Sequence, residues 1–381
     1  MFALLAVAES LVVGISPVLP TYKSHLSLSG FGVSALLAST SFALLIFAVP
    51  AGLIADRIGV RRLTIISGVM LALASIAEAD PFSFAWLLIV RIVIGAAAGV
   101  FWTSGLAWLA GLPEGHSSAL GIGITMAGVG LVLGPGFLGL FAQAFGIGAP
   151  FIIIGILIAA ATAVLAGAGH APMPVADEAM PPSLARVMTA AKRRPELRSA
   201  LVALSASAVA SGTVSVLVPL ELHQAGASTG TIGLILFVTG LGYVAATGVI
   251  ARLGTRLVSI SAVMIASAAV GTFLLPASLS RSAALLVLTM ALITPFRGAL
   301  ATLCYQLGSR AAGDGVGAAS IIGCLNSLWG AASVCSPLAA GAIYDAAGGQ
   351  AAFACAQVVV LMAAAATALS RRHSLMASPL A

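Results

Sequence analysis

The sequence predicts an all-α membrane protein with twelve transmembrane helices in two pseudo-symmetric six-helix bundles. Three observations predict it. Of 381 residues, 60% are hydrophobic and 7% charged, where a soluble domain carries about 25% charge. Apolar runs of spanning length, about 20 residues, recur twelve times between polar breaks. Landmarks of the first half also return in the second at a fixed distance. Forty-two glycines and eleven acids cannot coat a water-exposed surface of this size, which excludes a soluble enzyme, a disordered chain and a nucleic-acid reader.

In order, the expected spans are 1–21, 31–53, 63–80, 84–109, 119–143 and 149–169, then 199–222, 229–251, 257–278, 283–307, 317–343 and 351–370. The first carries Glu9 and closes on Pro17-Val18-Leu19-Pro20, with no basic n-region and no small-residue cleavage site, so it reads as a membrane helix and not a removed signal. Tyr22 and Trp86 fall at span ends and read as interfacial anchors. The fourth span carries Arg91 and the fifth a row of glycines with Gly134-Pro135. From His170 to Glu196 runs the longest polar stretch, rich in proline and ending on Lys192-Arg193-Arg194, which reads as a short helix lying on an anionic leaflet. The tenth span holds Pro295, Arg297 and Gly298. This divides the chain into a bundle at 1–170, a cytoplasmic loop at 171–197, a bundle at 198–370 and a tail at 371–381.

Placing the even-numbered connections and the tail inside puts thirteen Lys and Arg there, against Lys23 and Arg281 outside. The positive-inside rule then sets both termini in the cytoplasm, and the net charge of +6 is mostly topology. The repeat is read from Gly134-Pro135, Gly139, Gly146 and Phe151, which return 202 residues later as Ser336-Pro337, Gly341, Gly348 and Phe353. An even number of helices separates the copies, so they are parallel repeats about an axis along the membrane normal, the architecture of a carrier. The four cysteines sit in apolar runs and read as small buried hydrophobes. There is no His-Glu-x-x-His, no Gly-x-Ser-x-Gly and no phosphate-binding loop, so no catalytic residue, metal or cofactor is expected, and an ion gradient must drive any transport.

The segment Gly52-Leu-Ile-Ala-Asp56-Arg57-Ile-Gly59-Val-Arg61-Arg62 resembles the loop 2–3 signature of the major facilitator superfamily, and Arg91-Ile-Val-Ile-Gly95 its fourth-helix arginine motif. Gly121, Gly130, Gly134-Pro135 and Gly139 resemble the glycine-proline signature of the drug:proton antiporter branch, departing where Leu138-Gly139 replaces a Gly pair. The resemblance implies the major facilitator fold and a multi-pass monomer of the inner (cell) membrane. It implies proton-coupled efflux of small amphiphilic molecules, with protons, the substrate and the bilayer as partners and no nucleic acid. A proton-coupled metabolite importer is the alternative, and a membrane-embedded sensor or enzyme the alternative of another class.

Within that family, Gly52, Asp56, Arg57, Gly59, Arg61 and Arg62 are expected to form a cytoplasmic latch against the start of the eleventh span, near Val316 and Gly317. Gly121, Gly130, Gly134, Pro135 and Gly139 are expected to form a hinge and seal. Proton and substrate coupling is assigned to Glu9, Arg91 and Arg297, with Arg91 tuning Glu9. Glu9 is the acid placed well inside a span, and a carboxyl there can hold a proton or face a cation, not both. A mid-span charge is costly and so faces a cavity or a partner. Phe101, Trp102, Tyr243, Tyr305, Gln306, Asn326 and Trp329 are expected to line the cavity, where rings and a few amides suit an adaptable site.

Overall fold

The computed structural model describes residues 1–110, 119–167, 184–253, 257–311 and 318–377. Every regular element among them is helical, and twelve stretches are long and apolar enough to cross a membrane. The first stretch is broken: α1 (Phe2–Val13), a 3₁₀ turn (Ser16–Val18) and α2 (Leu19–His25). Pro17 and Pro20 cause the break, because each lacks the N–H that would continue the ladder. The first half continues through α3 (Gly30–Ile58), α4 (Val60–Glu78), α5 (Phe84–Ala110), α6 (Ala119–Phe145) and α7 (Gly148–Gly167). Then come the short α8 (Leu184–Arg193), α9 (Pro195–Gln224), α10 (Thr229–Leu253), α11 (Ile260–Phe273) with α12 (Leu275–Leu279), α13 (Ala283–Arg310), α14 (Ala318–Ala347) and α15 (Gly349–Ala377). Local signals start them: the Ser29 hydroxyl accepts from the Gly32 N–H at the head of α3, and Ser259 does the same for Ala262 at α11.

The helices group into two compact units, Met1–Glu178 with Leu222–Val238, and Ala179–Glu221 with Thr239–Ala381. The unit boundary therefore crosses α9 and α10, instead of following the central connection alone.

Each unit repeats the same packing. In the first, Gly14 at the end of α1 lies against Gly134 on α6, where an added Cβ would come within 3.1 Å of the Gly134 carbonyl carbon. In the second, Gly212 on α9 lies against Ser336-Pro337 on α14, where a Cβ would come within 2.8 Å of the Pro337 ring. Small residues at these crossings let the backbones touch. The turn into α7 uses Gly146 at φ 89°, and the turn into α15 uses Gly348 at φ 83°. Both fall in the left-handed region that glycine enters freely. Phe151 and Phe353, one turn further along, are both buried. The offset of 202 residues read in the sequence is thus a repeat of structure.

Two expectations change. Tyr22 is fully buried and not an interfacial anchor, because the broken first span turns α2 inward. Cys304 and Cys324 are buried, but Cys335 and Cys355 lie on exposed helix faces.

Candidate functional site

The Glu9 site begins with how closely α1 approaches α6. The Ser10 hydroxyl, one residue after Glu9, donates to the Ala6 and Gly130 carbonyls at 2.9 and 3.1 Å. A Cβ on Gly130 would lie 3.0 Å from the Glu9 Cβ, and one on Gly134 would lie 2.9 Å from the Ser10 Cα. Gly130 and Gly134 therefore form a packing face that seats α1. Gly139, further along α6, meets α10 instead: a Cβ there would lie 2.8 Å from the Gly233 Cα. Gly128 faces open space, and Pro135 sits inside a continuous α6. The side chains of the first turn of α6, Gly121 included, fall outside the described residues.

From that seat Glu9 reaches α5. Trp102 Nε1 donates to Glu9 Oε2 at 3.1 Å, and both side chains are half-buried. Phe101, the neighbour of Trp102, is fully buried and belongs to the core, so it lines no open space. One residue along a helix is a turn of about 100°, which separates the two rings.

Arg91 does not tune Glu9. Its guanidinium pairs with Glu78 at 2.9 Å, both side chains at 0% exposure, and also reaches the Leu11 carbonyl at 3.5 Å, near the break in the first span. Tyr22 lies within electrostatic reach of both charges. Glu78 lies inside the expected third span, 63–80, where the sequence alone assigned it no role. A signal was available: the short connection at 79–83 makes α4 and α5 antiparallel neighbours, and a long arginine two turns into α5 can then reach the last turn of α4.

The second unit positions Arg297 by a similar close approach. A Cβ on Gly242 would lie 3.0 Å from the Pro295 ring, and one on Gly298 would lie 3.1 Å from the Tyr243 Cα. These contacts bring α10 onto α13 and put the Tyr243 phenol within electrostatic reach of the Arg297 guanidinium. Arg297 donates to the Ser211 hydroxyl on α9, and its Nε is buried without a hydrogen-bond partner. Further along α13, the Tyr305 hydroxyl donates to Asn326 Oδ1 at 2.6 Å, and Asn326 is exposed. Gln306 Oε1 is buried with no hydrogen bond, and Trp329 is half-buried. An exposed amide within a spanning helix is costly against hydrocarbon, and the Tyr305 hydroxyl satisfies its oxygen here.

Of the expected latch, Gly59 makes the turn between α3 and α4 at φ 89°. Arg61 donates to the Ala166 carbonyl at 2.5 Å, in the last turn of α7, where a cation offsets the helix dipole. Arg62 is exposed. The side chains of Gly52, Asp56 and Arg57, and all of 312–317, fall outside the described residues.

The comparisons with known proteins agree with this architecture. A family profile described as Major Facilitator Superfamily matches residues 1–325. Quinolone resistance protein NorA of Staphylococcus aureus is 27% identical over 129 residues, 33% of each chain. Methyl viologen resistance protein SmvA of Salmonella typhimurium is 28% identical over 137 residues, 35% of this chain and 28% of that one. The chain thus spans about a third of the length of the curated relatives it matches. Among solved structures, a bacterial homolog to the human lysosomal transporter Spinster, inward-facing and occupied, superposes with a TM-score of 0.75 at 16% identity, covering 100% of this chain and 97% of that one. The human organic anion transporter MFSD10 (TETRAN) gives 0.68 at 19%, covering 96% and 98%. Identities this low show the fold alone.

Proposed function

The chain belongs to the Major Facilitator Superfamily, and from that premise we propose that this transporter exports small amphiphilic molecules in exchange for protons by alternating access. The observation that carries the reading is Glu9 held by Trp102 Nε1 on the glycine-seated α1. Glu9 faces an indole and not a cation, since the nearby Arg91 is committed to Glu78. Its carboxyl can therefore carry a proton or oppose a cationic group, with the Trp102 ring as the second contact for that group. The two occupants exclude each other, which couples release of one to arrival of the other. The names of NorA and SmvA, resistance to quinolones and to methyl viologen, support an export reading with ring-bearing, charged substrates.

The test is proton movement in inside-out vesicles with an acidified lumen, challenged with cationic, neutral and anionic drugs. Wild type should alkalinise the lumen when a substrate arrives, and Glu9→Gln should not. A response that survives in Glu9→Gln removes the coupling role from this carboxyl. Silence across the panel, with uptake of a labelled metabolite, would make the chain an importer.

A second reading rests on Arg297, whose described partners are a hydroxyl and a phenol and no acid. Such a guanidinium suits an anionic group on the substrate, with Ser211 and Tyr243 beside it. If it binds one, Arg297→Gln should abolish transport of the anionic drugs in the panel and spare the cationic ones.

A further inference from the structure

We propose that the second unit holds one anionic phospholipid, its acyl chain in an apolar groove between α9, α14 and α15 and its headgroup at the basic end of α8. The groove encloses about 550 Å³ and is lined by Met188, Leu201, Ser205, Leu328, Val359 and Ala366 among others. Its one hydroxyl, on Ser205, is already spent on the Leu201 carbonyl at 2.9 Å, so the interior offers an occupant nothing but hydrocarbon. It is open along one side, with Met188 46%, Val359 42% and Met362 67% exposed on the rim.

Among the described residues charge lies at one end, where Lys192, Arg193 and Arg198 outnumber the acid Glu196. Lys192 follows Met188 by one helical turn and is exposed, with Arg193 beside it. Arg198 precedes the lining residues of α9 by one turn, and its Nε donates to the Ser370 hydroxyl at 3.1 Å, one turn beyond the lining residues of α15. The other end, at Val209 and Val359, is apolar. From Leu201 to Val209 the groove runs about 12 Å at the helical rise, close to one leaflet of a hydrocarbon core about 30 Å thick. Cations at the head, no polar group within and the depth of one leaflet together select an amphiphile with an anionic head and a long tail. Val187 and Ala191 bury one face of α8, and Arg194 is anchored on the Ala311 carbonyl, so the headgroup would meet a fixed platform.

This inference does not depend on the export reading, since a chain that moved no drug would still retain the lipid. The purified full chain in detergent is titrated with dioleoylphosphatidylglycerol or dioleoylphosphatidylcholine, and retained lipid is counted by native mass spectrometry. One phosphatidylglycerol should be held in preference to phosphatidylcholine. Lys192→Gln and Arg193→Gln should each lower its retention by about fivefold, the usual effect of one cation on anionic-lipid binding. Ala332→Phe, which fills the groove, should lower retention of both lipids, with Ala366→Leu as a milder filling should the first variant melt early. Equal retention of the two lipids by the wild type would overturn the proposal. So would phosphatidylglycerol binding that ignores both kinds of variant, or displacement of the lipid by a transported dye.

Discussion

The Arg91–Glu78 pair gives the sharpest test of the fold. At 2.9 Å with neither side chain exposed, direct attraction is about 6 kcal/mol at an effective dielectric of about 20. Against it stands a desolvation cost of several kcal/mol for each ion. The pair is therefore weak evidence for stability when intact, but removing one partner strands the other charge. Glu78→Gln leaves the guanidinium with an amide and the distant Leu11 carbonyl, and Arg91→Met leaves a buried carboxylate; each should cost about 3–5 kcal/mol. At about 2–4 °C per kcal/mol for a unit of this size, either single variant should melt about 6–20 °C below wild type. Replacing both together, Glu78→Leu with Arg91→Met, should recover most of that loss, since an apolar pair of similar volume suits the same space. The assay is a melting curve of purified protein in detergent for wild type, Glu78→Gln, Glu78→Leu, Arg91→Met and the double variant, so that Glu78→Leu and Arg91→Met close the cycle. If the single variants melt within a degree or two of wild type, or the double variant loses the sum of both, the two charges are not buried as a pair.

Three further outcomes follow from other contacts. Gly134→Ala should destabilise by about 1–3 kcal/mol through overpacking against Ser10, while Gly128→Ala, facing open space, should be neutral or stabilising by up to about 1 kcal/mol; the same melting curves read both. Cys304 and Cys324, both buried, should resist a membrane-permeant maleimide until the protein is denatured, as peptide mapping would show. Tyr305→Phe should leave the melting temperature nearly unchanged, within about 0.5 kcal/mol for an exposed contact, yet change the substrate preference in the vesicle assay.

Much of the architecture was legible because membrane solvation writes itself into composition. Polar breaks fixed the twelve spans to within a few residues, and Gly146 with Gly348 marked turns whose φ angles only glycine adopts easily. What stayed hidden was rotation about helix axes. Phe101 and Trp102 are adjacent in sequence and looked equivalent, yet one is core and the other holds Glu9. Glu78 went unassigned because hydropathy stops at the polar turn, whereas its burial depends on Arg91 of α5 packed against it. Tyr22 misled for the same reason: its distance from the span's end was right, and the proline break that turns it inward carries no hydropathy signal.

The repeat also separates two arginines that the sequence presents alike. Arg91 and Arg297 lie in corresponding helices, α5 and α13. In the first unit the preceding helix, α4, ends on Glu78, and the guanidinium is neutralised where it stands. In the second unit the preceding stretch ends as Leu275–Leu279, Ser280 and Arg281, with no acid to reach back. The same scaffold therefore carries one cation paired with a carboxylate and one whose described hydrogen bond is to the Ser211 hydroxyl, with its Nε left without a partner. A buried guanidinium without a carboxylate is costly in a lipid-surrounded bundle. Under the anion reading proposed for Arg297, a negative group on the substrate would fill that open valence. On that reading, neutralising Arg91 should chiefly lower the melting temperature, and neutralising Arg297 should change which drugs the vesicles transport.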